Sequence, residues 1–322
     1  MEMETSILVE GLTKTFDGKP ALSNVSFHVE RGEVFGYLGP NGAGKSTTIK
    51  ILSGLLEQTS GRAVIDGLDN KRERVEIKKR IGVVPETSNL YPELSVYDNL
   101  RFVSRLYQVP RAAREEKIGS LLDMFGLKDY RNRGFGKLSK GLKRRVVLAA
   151  ALVHDPDIVF LDEPTSGLDI MSARNLRKMI QGFKQEGVTV FLTTHYIEEA
   201  EELCDRVAIL VGGRIVKVGT PGELEALVRE TPILEASLKA SNPLGIQLFE
   251  GLPADEVTLQ GDKVRVYTSD VSEAIYALSQ LSKRHGFEIT EINTLQPSLE
   301  EAFVKLTGLS SEEMRSEKEG KP

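Results

Sequence analysis

Only one cysteine, Cys204, occurs among the 322 residues, so no intrachain disulfide can staple the fold. It falls in a helix-like segment and reads as a small buried residue, not a nucleophile. No apolar run reaches the roughly 20 residues that a membrane-spanning helix needs; residues 146–153 are among the longest. No block of basic residues stands out and the formal net charge is −5, which points away from a nucleic-acid-binding face. The opening residues MEMETSILVE are acidic and lack the basic-then-apolar order of a signal peptide. No tandem repeat is visible. What is present suits a globular, cytosolic protein: 40% hydrophobic and 28% charged residues, over a length that fits two domains.

The first 30 residues alternate in the manner of strands, at residues 7–16 and 21–29, around the turn Asp17-Gly18. Residues 34–38 form a short apolar run expected to be a buried strand, and residues 61–67 a strand and turn. The charged residues 70–80 read as an exposed helix, and residues 81–84 as a strand ended by Pro85. A helical pattern begins at Ser95, with Leu100, Val103, Leu106 and Tyr107 on one face; Leu121, Leu122, Phe125 and Leu127 repeat the stripe beyond Pro110. Residues 158–161 and 188–193 are continuous apolar runs, as central parallel strands are. Helical segments at 172–186 and 197–205 surround the second run, and a hairpin turns at Gly212-Gly213. Strands alternating with helices imply an α/β fold with a mostly parallel sheet. Composition shifts near Thr220-Pro221-Gly222, where a helix from 223 to about 229 is expected. A small α+β pattern follows: strands at 233–238, 257–260, 263–268 and 288–292, and a helix at 271–285. A capping box at Ser298 and Glu301 opens a last helix. Residues 309–322 are charged and nearly devoid of apolar side chains, so a disordered tail is expected.

Between the strand at 34–38 and a helix lie Gly39, Pro40, Asn41, Gly42, Ala43, Gly44, Lys45, Ser46 and Thr47. They match G-x-x-x-x-G-K-[ST], the loop that cradles nucleotide phosphates. Strand, glycine loop and helix N-terminus aim backbone N–H groups and a positive dipole end at an anion. Lys45 reaches the β- and γ-phosphates and the Ser46 hydroxyl ligates Mg²⁺ in that motif. At the end of the 158–161 run stand two acids, Asp162 and Glu163, where α/β sheets bind ligands. Asp162 suits Mg²⁺, directly or through water, and Glu163 suits an attacking water.

A phosphate loop alone leaves many nucleotide hydrolases open. Further segments narrow the choice: Leu138-Ser139-Lys140-Gly141-Leu142, Ser166 to Asp169, and His195 after the second apolar strand. Taken in order with the loop and the paired acids, they resemble the nucleotide-binding domain of ABC transporters over roughly residues 5–225. That resemblance implies a P-loop NTPase core with a parallel sheet, an antiparallel β subdomain and a helical subdomain at about 90–155. The ATP-binding domain would then span residues 1–225, followed by a small C-terminal α+β domain at 231–308. It also implies ATP and Mg²⁺, and a head-to-tail dimer that sandwiches two ATP molecules. In the family, Ser139 and Gly141 hold the γ-phosphate on the opposite subunit, Asp169 crosses the dimer seam, His195 contacts the γ-phosphate, and Phe16 stacks on adenine.

The chain departs from the family at two positions. Lys140 replaces the first glycine of LSGGQ (and Leu142 its glutamine); the lysine either adds a phosphate contact or points to solvent. Glu86 stands where the family has a Mg²⁺-ligating glutamine; it either ligates the ion or is a surface acid. Residues 296–308 resemble the end of ATPase subunits of the drug-resistance and sodium-export branch. The implied activity is ATP hydrolysis that powers a separate multi-span permease, from the inner face of the cell membrane and in the export direction, with no nucleic-acid partner. A soluble ATP-driven switch acting on ribosomes or DNA is the alternative, although such relatives usually carry two of these domains or a long coiled coil. A binding-only subunit is a third.

Overall fold

The computed structural model describes residues 4–227, 232–240, 244–295 and 298–309. Two compact units divide the chain, one ending at Pro221 and the other spanning Gly222–Gly308.

In the first unit, β1 (Thr5–Phe16) and β2 (Lys19–Glu30) form an antiparallel pair. Then come β3 (Val34–Leu38), α1 (Lys45–Leu52), β4 (Ser60–Ile65), β5 (Leu68–Asp69), α2 (Arg74–Arg80) and β6 (Ile81–Val84). Three helices follow, α3 (Val96–Leu106), α4 (Arg111–Met124) and α5 (Lys140–Ala151). The chain returns to the sheet through β7 (Ile158–Asp162), α6 (Ile170–Gln185), β8 (Thr189–Thr194), α7 (Ile197–Leu203), β9 (Arg206–Val211) and β10 (Arg214–Gly219). One sheet has the order β2-β1-β4-β5 and is antiparallel; the other has the order β10-β9-β3-β8-β7-β6. All pairs of the second sheet are parallel except the β9–β10 hairpin.

Every residue of β3, β7 and β8 is buried, which is why these strands read as unbroken apolar runs. The two sheets share one core. Phe27 of β2 stacks on Phe35 of β3 at 5.4 Å and on Phe191 of β8 at 5.7 Å between ring centroids. Cys204 is buried as expected, and a Cβ on Gly36 would lie 2.6 Å from its sulfur. Burial pushes this thiol well above its ordinary value, so it stays protonated.

Two expectations fail locally. The charged segment 70–80 is helical only from Arg74. Asn70 is buried and spends its carboxamide on Gln58 (3.0 and 3.2 Å) and the Ile51 carbonyl (3.3 Å), contacts that hold it outside a helix. Leu106 is 68% exposed, because α3 ends there and Gln108 turns left-handed at φ 59°. Ser95 caps α3 as the sequence suggests, accepting from the Asp98 N–H at 3.0 Å.

The short helix α8 (Pro221–Ala226) straddles the boundary between units. The second unit contains β11 (Ile233–Lys239), β12 (Glu256–Gln260), β13 (Lys263–Tyr267), α9 (Val271–His285), β14 (Glu288–Leu295) and α10 (Leu299–Thr307). Its antiparallel sheet runs β12-β13-β11-β14. Ala274 and Leu278 of α9 pack with Leu234, Ala236, Val264 and Val266 of the sheet. The capping box at Ser298 and Glu301 is formed. Gln296, Pro297, Arg229, Thr231 and residues 310–322 lie outside the described residues, and with them part of the C-terminal resemblance, the end of the expected helix and the expected tail. Among the described residues no helix is long and apolar enough to cross a membrane.

Candidate functional site

β3 delivers the chain into the phosphate loop. Gly39 has no room for a side chain, since a Cβ there would lie 2.2 Å from the Leu210 carbonyl oxygen. Gly44 closes the loop at φ 109°, and a Cβ on it would lie 2.7 Å from the Ala21 carbonyl oxygen. Gly44 is also the N-cap of α1, so Lys45, Ser46 and Thr47 form the first turn of that helix. Unpaired N–H groups of such a turn point along the helix axis. Here they face a cavity of about 650 Å³ lined by Asn41, Gly42, Gly44, Lys45, Ser46, Thr47, Glu86, Glu163 and His195. Ala21, Ser166, Gly167 and Tyr196 also line it, and the sequence reading did not place them in the pocket.

The charges are arranged around Lys45 and Glu163, both buried. The Lys45 ammonium donates to the carbonyls of Gly39 at 2.7 Å and Pro40 at 3.2 Å, and sits 3.0 Å from Glu163 Oε1. His195 Nδ1 pairs with Glu163 Oε2. Burial pushes the Glu163 carboxyl up, but His195 and Lys45 outweigh it and hold the group below its ordinary value, hence ionised. Glu163 adopts a left-handed φ of 47°, unusual without glycine, and costs of order 1–3 kcal/mol. Its N–H donates to the carbonyl and the hydroxyl of Thr193, at 3.1 and 3.2 Å, which fixes the strained turn. Asp162 lies behind Ser46: its Oδ1 accepts from the Ser46 hydroxyl at 3.2 Å and from Thr193 at 2.6 Å. The parallel register that pairs Asp162 with Thr193 produces this contact.

Other candidate residues fall elsewhere. Pro40 and Gly39 act through their carbonyls on Lys45, while Ala43 is buried behind the loop. Phe16, Ser139, Gly141 and Asp169 do not line the cavity. Phe16 is 44% exposed at the end of β1, with the Lys14 ammonium 4.9 Å from its ring centroid. Ser139 caps α5, accepting from the Leu142 N–H at 3.3 Å. Asp169 caps α6, accepting from the Ser172 N–H at 2.9 Å and hydroxyl at 2.7 Å. Ser172 in turn packs on Gly141, where a Cβ would lie 2.7 Å from its Oγ. Lys140 lies along its own chain: its ammonium is 2.1 Å from where a Cβ on Gly167 would be.

One central residue escaped the sequence reading. Arg144, buried on α5, donates to the carbonyls of Asp162 (2.7 Å) and Pro164 (2.8 Å), and also to those of Pro85 and Glu86. It ties the segment carrying the paired acids to the loop carrying Glu86.

Fold and site together define a P-loop nucleotide-binding domain. The family model for ABC transporters matches residues 22–166. The chain is 44% identical over 223 residues to the probable multidrug ABC transporter ATP-binding protein YbhF of Escherichia coli (strain K12), covering 69% of this chain and 38% of that one. It therefore spans about two fifths of that relative's length. It is 35% identical over 308 residues to the Nod factor export ATP-binding protein I of Rhizobium etli, covering 96% of this chain and 95% of that one. A solved dimeric ATP-binding cassette in a post-hydrolysis state, bound to ADP and phosphate, superposes with a TM-score of 0.62 at 28% identity, over 66% of this chain and 98% of that one. The chain belongs to the ABC transporter family, as one of its ATP-binding cassettes.

Nucleotide binding by such a cassette depends on the cradle. Gly44→Ala should lower ATP affinity by about tenfold or more, since the left-handed strain and the clash with Ala21 together exceed roughly 1.4 kcal/mol. Titration with a fluorescent ATP analogue measures this; unchanged affinity would place the nucleotide elsewhere.

Proposed function

We propose that this chain is the ATP-hydrolysing subunit of an exporter, working as a head-to-tail pair on the inner face of a membrane, bound to a separate permease. The observation that carries it is the Lys45–Glu163–His195 constellation at the mouth of the phosphate loop. The outward position of Ser139, Gly141 and Asp169, off this cavity, supports a site completed by a second copy. The relatives' names, multidrug and Nod factor export, support the transport reading over a soluble switch.

In this reading Lys45 and the N–H groups of the loop and of α1 stabilise charge on the γ-phosphoryl group. Glu163 orients and deprotonates the water, and His195 holds Glu163 in place while reaching toward the γ-phosphate. Exposed Phe16 stacks on the base. Mg²⁺ fits the donor set: Ser46 and Asp162 offer oxygens, and Glu86 lines the same cavity. Among the described residues no cluster of three or more His, Cys, Asp or Glu forms a cage. That suits an ion which keeps phosphate oxygens and waters in its shell. Bound there, the ion would neutralise charge on the β- and γ-oxygens.

The shared site has a direct test. Ser139→Arg should block pairing of the subunits while leaving ATP binding by the single chain intact; Lys45→Ala should lose the phosphate grip. Mixed, the two variants should hydrolyse more ATP than the sum of each alone, because one composite site then has every residue. A mixture that equals the sum would place the whole site within one chain.

A further inference from the structure

Glu199, on α7, is fully buried, and neither of its carboxyl oxygens makes a well-aligned hydrogen bond. Two threonine hydroxyls face it. Thr194 precedes His195 at the end of β8, and Thr165 follows Glu163 and Pro164; both are buried. Thr194 Oγ1 already accepts from the Tyr196 N–H at 2.9 Å, which leaves its own proton to donate. The charged groups around the carboxyl are Arg177 on α6, Glu163 after β7 and Arg144 on α5, with the Cys204 thiol also nearby. Arg177 gives its Nη1 to Glu202 at 2.6 Å, and its Nε is buried without a partner. An ionised carboxylate left unpaired at this depth is costly, so the group keeps its proton. Burial accordingly pushes Glu199 above the ordinary carboxylate value, against the pull of the two threonines and Arg177.

We infer that Glu199 is a positioning residue of the ATPase site, a neutral carboxyl that clasps Thr194 and Thr165 and thereby sets the spacing of His195 and Glu163. A protonated carboxyl has one donor and spare acceptor capacity, so it can donate to one hydroxyl and accept from the other. It touches neither nucleotide nor water. The inference rests on the ATPase reading above for its consequence, but not for the protonation state.

Two substitutions and a pH profile decide it. Glu199→Ala should lower kcat about tenfold or more while KM for ATP stays within about twofold, because the phosphate cradle is untouched. Glu199→Gln should recover most of that loss, since an amide also has a donor and an acceptor. Wild-type kcat should fall on the alkaline side as Glu199 ionises, and this limb should be missing in the Gln variant. Thermal denaturation needs no turnover and carries the test if the Ala variant fails to fold. The unfolded carboxyl ionises above about 4.5 while the folded one holds its proton, so wild type loses this group's share of stability as pH rises from 5 to 8. Glu199→Gln does not, and its Tm advantage should widen by roughly 2 °C or more over that range. A Tm difference that is flat with pH, or a Gln variant as slow as the Ala variant, would overturn the inference. An inactive wild-type protein would sink the ATPase reading instead, and the Tm series would still decide whether Glu199 is neutral.

Discussion

Glu163→Gln should leave ATP binding within about threefold of wild type and slow hydrolysis by about 10²-fold or more, the scale of a lost general base. The side chain keeps its shape, and the backbone contacts to Thr193 that fix its left-handed turn do not involve the carboxylate. What disappears is the proton acceptor and the charge between Lys45 and His195. Because those two partners hold the folded carboxyl below its ordinary value of 4.5, Glu163 is ionised at neutral pH in the free protein. The stability it contributes is present above the unfolded value and lost as pH falls through the folded one. Single-turnover hydrolysis and nucleotide titration of the same preparation separate the effects. Near-normal turnover in the Gln variant would remove Glu163 from the chemistry.

The parts of the site legible in the sequence are those fixed by local geometry. A glycine loop between an apolar strand and a helix can only place Lys45 and Ser46 at a helix N-terminus, and a continuous apolar run can only deliver Asp162 and Glu163 to a strand end. Contacts that depend on which elements become neighbours were hidden. Thr193 reaches Asp162 because β7 and β8 are adjacent and in register, which no motif states. Arg144 sits in the run Lys143-Arg144-Arg145 and looks like one charge among three. Its one signal was helical period: it shares a stripe with buried Val147, Leu148 and Ala151. Glu199 likewise falls one turn before buried Leu203, among acids that otherwise face solvent. The sequence allows Lys140 either phosphate or solvent; its rest against Gly167 follows from the packing of α5 on the turn before α6, and the spacing of neither segment reveals it.

Arg144→Met should destabilise the protein by about 3–5 kcal/mol, the scale of losing several hydrogen bonds from one buried charged donor. The methionine fills most of the volume, so the loss is polar. The carbonyls of Asp162 and Pro164 become buried acceptors without donors, and the Pro85–Glu86 loop loses its tie to β7. Burial itself lowers the pKa of this guanidinium, and the acidic side chains near it, Asp162 foremost, oppose that shift. Removing the cation therefore also takes a positive charge out from among Asp162, Glu86 and Glu163. At roughly 2–4 °C per kcal/mol for a unit of about 220 residues, Tm of the first unit should drop by about 10 °C. Arg144→Lys should recover only part of this, because a single ammonium lacks the planar fork that reaches both carbonyl pairs. Activity gives an independent reading below the melting transition. If the guanidinium holds the Glu86 loop against the paired acids, kcat in the Met variant should fall and its Mg²⁺ requirement should shift to higher concentration. A Met variant with wild-type Tm would mean that water satisfies those carbonyls and that Arg144 is not the tie between them.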